Sequence, residues 1–217
     1  MSGVDASRHL PPSADLSTLA KAARGCTACE LYENATQTVF GEGPPDARVV
    51  LVGEQPGDVE DREGHPFVGP AGRLLDRALD EAGIERELTY VTNAVKHFRF
   101  TRGSGTRRIH ATPEARHLAA CKPWLNAELA LLNPDVVVAL GATAMKQLLG
   151  GRYRVTKDRG KLLPFEIPTN GEDAAVHTTH ALITTHPSAV LRTPPDTKEE
   201  AFAALVADLR VVARALG

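Results

Sequence analysis

Four short runs of apolar, β-rich residues do most to limit what this chain can become: Arg48–Gly53 (RVVLVG), Leu88–Thr92 (LTYVT), Asp135–Gly141 (DVVVALG) and Ala181–Thr185 (ALITT). A strand with one wet face alternates apolar and polar residues, whereas continuous runs suit strands covered on both faces. The segments between them change period. Pro70–Ala82 places Leu74, Leu75, Ala78 and Leu79 on one helical stripe, and helical patterns also fill Pro113–Leu132, Ala142–Leu149 and roughly Lys198–Ala215. Alternation of this kind predicts a mostly parallel sheet with helices on both sides, and ligands of such folds bind beyond the carboxyl ends of the strands.

With 217 residues, 42% of them hydrophobic and 24% charged, the chain supports one sizeable core and falls short of two. The expected organisation is a flexible segment over residues 1–15 and a single domain over 16–217. The first residues lack the charged start and apolar core of a signal peptide, and no run reaches the length of a membrane span, so a cytoplasmic protein without a membrane partner is expected. Three cysteines, two of them in Cys26-Thr27-Ala28-Cys29, favour metal or redox chemistry over disulfides in that compartment. A net charge of −2 gives no global sign of nucleic-acid binding. Any such surface must be local.

Polar groups follow each apolar run: Glu54-Gln55-Pro56-Gly57 the first, Asn93 the second, Gly141-Ala142-Thr143 the third and His186-Pro187-Ser188 the fourth. They should therefore gather at one sheet edge. Two further segments point to DNA. Between Leu88 and Pro113 there is no acidic residue, while Lys96, Arg99, Arg102, Arg107 and Arg108 alternate with Phe98, Phe100 and the glycines of Gly103-Ser104-Gly105. Such a loop can track phosphates, although a solvated surface loop has the same composition. His186–Arg192 (HPSAVLR) carries apolar Leu191 beside Arg192 just past a strand, a fit for a side chain that fills the gap left by an extracted base; an ordinary loop packed on its own core reads the same.

Gly53–Gly57 (GEQPG), Glu60-Asp61 and Gly64–Gly72 (GHPFVGPAG) together resemble the first signature of the family 4 uracil-DNA glycosylases; Thr92–Lys96 (TNAVK) resembles the second and His186-Pro187-Ser188 the third. The resemblance covers roughly residues 16–212 and implies the three-layer α/β/α sandwich of the uracil-DNA glycosylase superfamily, around a four-stranded mostly parallel sheet. Two departures narrow it. His97 stands where the family usually has a cysteine, and the inserted loop ending Arg107-Arg108-Ile109-His110 resembles the loop that marks the UdgX branch, as does Gln55.

The chemistry follows in two parts. Breaking the bond between uracil N1 and the sugar C1′ requires an environment that favours a departing anion and a cationic sugar. The resemblance implies that Asn93 bonds the polar edge of uracil, Phe67 stacks on it and His186 donates to the oxygen that gains charge, with Gln55, Gly57 and Asp58 lining the base site. Glu54, a carboxylate at a strand end, suits a general base or an electrostatic partner of the cationic sugar. For His110 the resemblance implies a nucleophile that stays bonded to C1′ after uracil leaves. A neutral imidazole is competent at pH 7, its ordinary pKa is about 6.5, and Arg107 and Arg108 are expected to push it lower. Lys96, Arg107, Arg108, Ser188, Leu191 and Arg192 are the expected DNA contacts.

For the metal, the resemblance implies a structural 4Fe–4S cluster held by Cys26, Cys29 and Cys121. The fourth ligand is His97, or His117, which lies four residues before Cys121 on the same helical face. A zinc ion with three Cys and one His is the rival. The expected function is excision of uracil from DNA, single-stranded DNA accepted, by a monomer that ends covalently attached. A turnover enzyme using water and a non-catalytic DNA-binding iron–sulfur module are the alternatives. A nucleotide-binding Rossmann enzyme is disfavoured, because no Gly-x-Gly-x-x-Gly follows a strand.

Overall fold

The computed structural model describes residues 5–12, 15–167 and 177–217. Its strands are β1 (Val49–Gly53), β2 (Thr89–Asn93), β3 (Phe100–Arg102), β4 (Arg108–His110), β5 (Val136–Leu140), β6 (Leu162–Ile167) and β7 (His177–Thr184). The helices are α1 (Leu16–Ala23), α2 (Asp58–Glu63), α3 (Pro70–Ala82), α4 (Ala115–Leu132), α5 (Gly141–Leu149), α6 (Val155–Asp158), α7 (Pro187–Arg192) and α8 (Pro195–Leu216). The sheet order is β2-β1-β5-β7-β6. The four strands read from the apolar runs are all mutually parallel. A fifth, β6, extends the sheet and runs antiparallel to β7.

Residue parity divides each central strand between two cores. Val49 and Leu51 of β1, Val136, Val138 and Leu140 of β5, and Leu182 of β7 pack against Leu75, Ala78 and Leu79 of α3 and Phe202, Leu205 and Leu209 of α8. Their neighbours Val50, Val52, Val137, Ala139, Ala181 and Ile183 face Leu125, Leu129 and Leu132 of α4 and Met145 of α5. Side chains of period 2, apolar at both phases, are what bury a strand on two sides. The sheet order also fixes where a ligand belongs. From β1 the chain passes first to β2 on one side and then to β5 on the other, so the crevice between the ends of β1 and β5 is a topological switch point.

A third, smaller core holds Leu19, Ala23, Cys26, Val95, Cys121 and Trp124. Ala6 is buried in it too, within a 3-10 turn at Ala6–His9, so this part of the segment expected to be flexible is packed. Residues 1–4, 13 and 14 of that segment lie outside the described residues. Among the described residues no helix is long and apolar enough to cross a membrane.

The basic segment expected to be a loop is an antiparallel hairpin. β3 and β4 pair with each other alone, with Phe100 opposite His110 and Arg102 opposite Arg108. Three anchors fix it to the domain. Gln55 Nε2 donates to the carbonyls of Arg99 and Ala111, both at 3.1 Å, and its Oε1 accepts from the Arg99 N–H at 2.9 Å. Arg108 donates to Asp58 Oδ1 and, at 2.6 Å, to Asp61 Oδ2, while its guanidinium lies over the rings of Phe98 and Phe100. Arg99 bonds the Thr112 carbonyl and Glu114.

Candidate active site

The carboxyl ends of the parallel strands open into a cavity of about 710 Å³ lined by Glu54, Gln55, Gly57, Phe67, Asn93, His110, Thr143, His186, Ser188 and Arg192, among others. That volume holds a planar base and part of its sugar. Asn93 ends β2 and is 3% exposed, yet its side-chain amide makes no hydrogen bond among the described residues. Asn93 lines the cavity, where its free polar atoms are available to a ligand. It lies tightly against Gly53: a Cβ there would come within 2.4 Å of Asn93 Oδ1 and 2.7 Å of Phe67 Cζ. Phe67 adopts φ +57°, a conformation that costs a non-glycine residue about 1–3 kcal/mol. The turn is held from behind by Gly72, whose position leaves no room for a side chain against the Phe67 carbonyl.

His186 caps α7. Its Nδ1 accepts from the Ser188 N–H at 3.1 Å, so in the neutral ring the proton is on Nε2, which has no protein acceptor among the described residues. Burial, then Arg192 and His110, lower its pKa to about 4, and a neutral N–H donor therefore faces the cavity at pH 7. Its ring stacks at 26° to that of Phe67, with centroids 6.1 Å apart.

Glu54 follows β1 at the switch point. One oxygen, Oε2, accepts from Thr143 Oγ1, and the other, Oε1, lies 3.4 Å from His110 Nε2. His110 is held by the hairpin with its side chain 48% exposed and its ring 6.0 Å from that of Phe98. Burial lowers its pKa, Glu54 opposes this, and Arg192 adds to it. The expected cause was different: Arg107 and Arg108 do not contribute, because Arg107 is exposed on the hairpin and Arg108 is neutralised by two carboxylates. The outcome is the same in direction.

Four expected assignments change on this geometry. Lys96 does not face DNA. It is 1% exposed, and its Nζ donates to Glu128 Oε2 at 2.5 Å, Thr92 Oγ1 at 2.6 Å and the Asn93 carbonyl at 2.9 Å. Glu128 is fully buried, so truncating Lys96 leaves an uncompensated charge, a loss of about 3–5 kcal/mol of stability rather than of DNA affinity. Arg108 and Asp58, expected at DNA and base, pair with each other and brace the hairpin. Gln55 spends its side-chain amide on the hairpin stem, so only its remaining surface lines the cavity. Gly57 lines the cavity as well, and its N–H is held by Glu60 at 3.1 Å. Arg102, Arg107 and Arg192 form no ion pair among the described residues and are exposed, as cations facing phosphates would be. Ser188 and half-buried Leu191 lie beside Arg192 on α7.

Cys26, Cys29 and Cys121 share the third core as free thiols. The Trp124 Nε1–H donates to Cys26 Sγ and the Lys96 N–H to Cys121 Sγ, each at 3.3 Å, and such bonds steady sulfurs that ligate iron. Buried His97 has Nε2 2.9 Å from Thr38 Oγ1. Thr38 gives its own proton to the Ala23 carbonyl, so His97 must be the donor, and its Nδ1 is the nitrogen with a free lone pair. His117 has none: Nδ1 accepts from the Glu114 N–H and Nε2 lies 2.9 Å from Glu30 Oε1. Among the described residues no three metal-ligating side chains surround a common ion position.

Asp61, Glu128 and Thr143 carry roles that the sequence did not assign. All three act through long-range partners, 47, 32 and 89 positions away, and no local spacing marks such pairs.

A parallel sheet with a free amide, an aromatic wall, a carboxylate and two imidazoles at its switch point defines a base-extracting α/β fold, and residues 40–210 match the Uracil DNA glycosylase superfamily. The chain is 48% identical over 136 residues to the type-4 uracil-DNA glycosylase of Thermotoga maritima, covering 62% of this chain and 67% of that one. It is 37% identical over 184 residues to that of Pyrobaculum aerophilum (83% and 86% covered) and 34% over 195 to that of Saccharolobus solfataricus (87% and 83%). The chain belongs to the type-4 uracil-DNA glycosylases of this superfamily.

Proposed function

We propose that the protein excises uracil from DNA and remains bonded through His110 to the sugar it has emptied, as in the UdgX branch. The observation that carries this is His110 Nε2 at 3.4 Å from Glu54 Oε1 within the cavity that also holds the unpaired Asn93 amide. Asn93 reads the polar edge of the flipped base, Phe67 stacks on it, and His186 Nε2–H donates to the carbonyl oxygen that gains charge. As the C1′–N1 bond breaks, its electron pair leaves with uracil, which later takes a proton. The Glu54 carboxylate favours the cationic sugar. A lone pair of neutral His110 then forms the N–C1′ bond, and the resulting imidazolium gives up its remaining N–H proton to solvent. Water is outcompeted because the hairpin holds the imidazole at the site beforehand.

Arg107, Arg192 and Ser188 supply phosphate contacts around the mouth, and Leu191 fills the space beside the flipped nucleotide. Single-stranded DNA is accepted, because every contact in this account is to one strand. The same reading has a cytoplasmic monomer. A denaturing gel of the protein mixed with uracil-containing oligonucleotide tests it: a band heavier by the oligonucleotide is expected, and free protein with free abasic DNA is the result of the alternative in which water attacks.

Cys26, Cys29, Cys121 and His97 would hold a 4Fe–4S cluster, whose part is to brace the amino-terminal segment against the strand that ends in Asn93. Purified protein should be brown and absorb in the visible. A colourless protein carrying one zinc per chain would overturn the cluster.

A further inference from the structure

Thr143 stands in the first turn of α5, across the switch-point crevice from Glu54, and both side chains line the cavity. Its hydroxyl donates to Glu54 Oε2. The end torsion of a glutamate is broad and nearly two-fold, so nothing intrinsic decides which oxygen points where. Here the decision is made by the partner: with Oε2 held by Thr143, Oε1 is the oxygen left facing His110 Nε2. Among the described residues no other side chain donates a hydrogen bond to this carboxylate. The positive end of α5 lies on the same side and favours the charged group there.

We infer that Thr143 is a positioning residue for uracil excision, its hydroxyl orienting Glu54 toward His110 and the cationic sugar. The inference rests on the glycosylase reading above. Its test compares Thr143→Val, which keeps the shape and loses the donor, with Thr143→Ser, which keeps the donor, in single-turnover assays on a labelled uracil oligonucleotide. Thr143→Val should lower the maximal rate at saturating DNA by about tenfold, the usual loss for one hydrogen bond to a charged group, with Kd for DNA and Tm unchanged. Thr143→Ser should restore the rate. Adding Thr143→Val to Glu54→Gln should cost nothing more, because the hydroxyl acts only through the carboxylate. Should Val disturb the packing of α5, Thr143→Ala is read the same way. A wild-type rate in Thr143→Val beside a slow Glu54→Gln overturns the role of Thr143 alone, as do losses that add in the double variant. A wild-type rate in Glu54→Gln overturns the Glu54 assignment and this inference with it.

Discussion

His110→Ser should abolish the heat- and detergent-stable adduct and turn the protein into an enzyme that releases uracil, leaves an abasic site and turns over. The side chain removed is the only imidazole carried by the hairpin, while Glu54, Asn93 and His186 belong to the sheet edge and keep their positions. The smaller side chain also leaves space beside C1′ for water. Gel shift and product analysis on the same samples measure both outcomes. Protease digestion and mass spectrometry of the wild-type adduct should place the sugar on the peptide containing His110; an adduct that persists in His110→Ser, or maps elsewhere, removes the covalent assignment. In the wild type, adduct formation should be constant at neutral pH and fall as acidification protonates His110. Its lowered pKa puts that fall below the ordinary range of about 6.5.

The second large effect is expected at Asn93. Its side-chain amide makes no hydrogen bond among the described residues and borders the cavity, so Asn93→Ala should remove binding that only the extracted base can make. Uracil excision should slow by roughly a hundredfold or more, because the polar edge of the base is then buried without partners. Affinity for undamaged DNA should not change. Unaltered excision in the variant would remove Asn93 from the site.

The sequence disclosed Asn93 and the sheet that presents it for the same reason, whereas His110 was marked by the resemblance of its loop. A strand covered on both faces is continuous in its apolar residues, so β1, β2, β5 and β7 were visible, and the polar groups just beyond them were visible with them. β6 was not, because it is an edge strand that contains Pro164 and alternates exposed and buried residues toward its end. The hairpin was read as a loop because its strands are three residues each and pair with nothing else. Lys96 and Arg108 were misread for one physical reason. A run of cations looks like a phosphate-binding surface until the acids that neutralise some of them are found, and Glu128, Asp58 and Asp61 are remote in the chain. Arg102 and Arg107 of the same run have no such partner among the described residues.

The anchoring of the hairpin bears on how such a chain can change over evolutionary time. The arm that carries His110 is an addition to the sheet, yet Asp61, fully buried, depends on Arg108 from that arm for its counter-charge. The Thr36 N–H is its other donor. Deleting the arm alone would strand a carboxylate in the interior, and neutralising Asp61 alone would loosen the arm. A change that removes the charge of either partner should therefore cost stability unless the other changes with it.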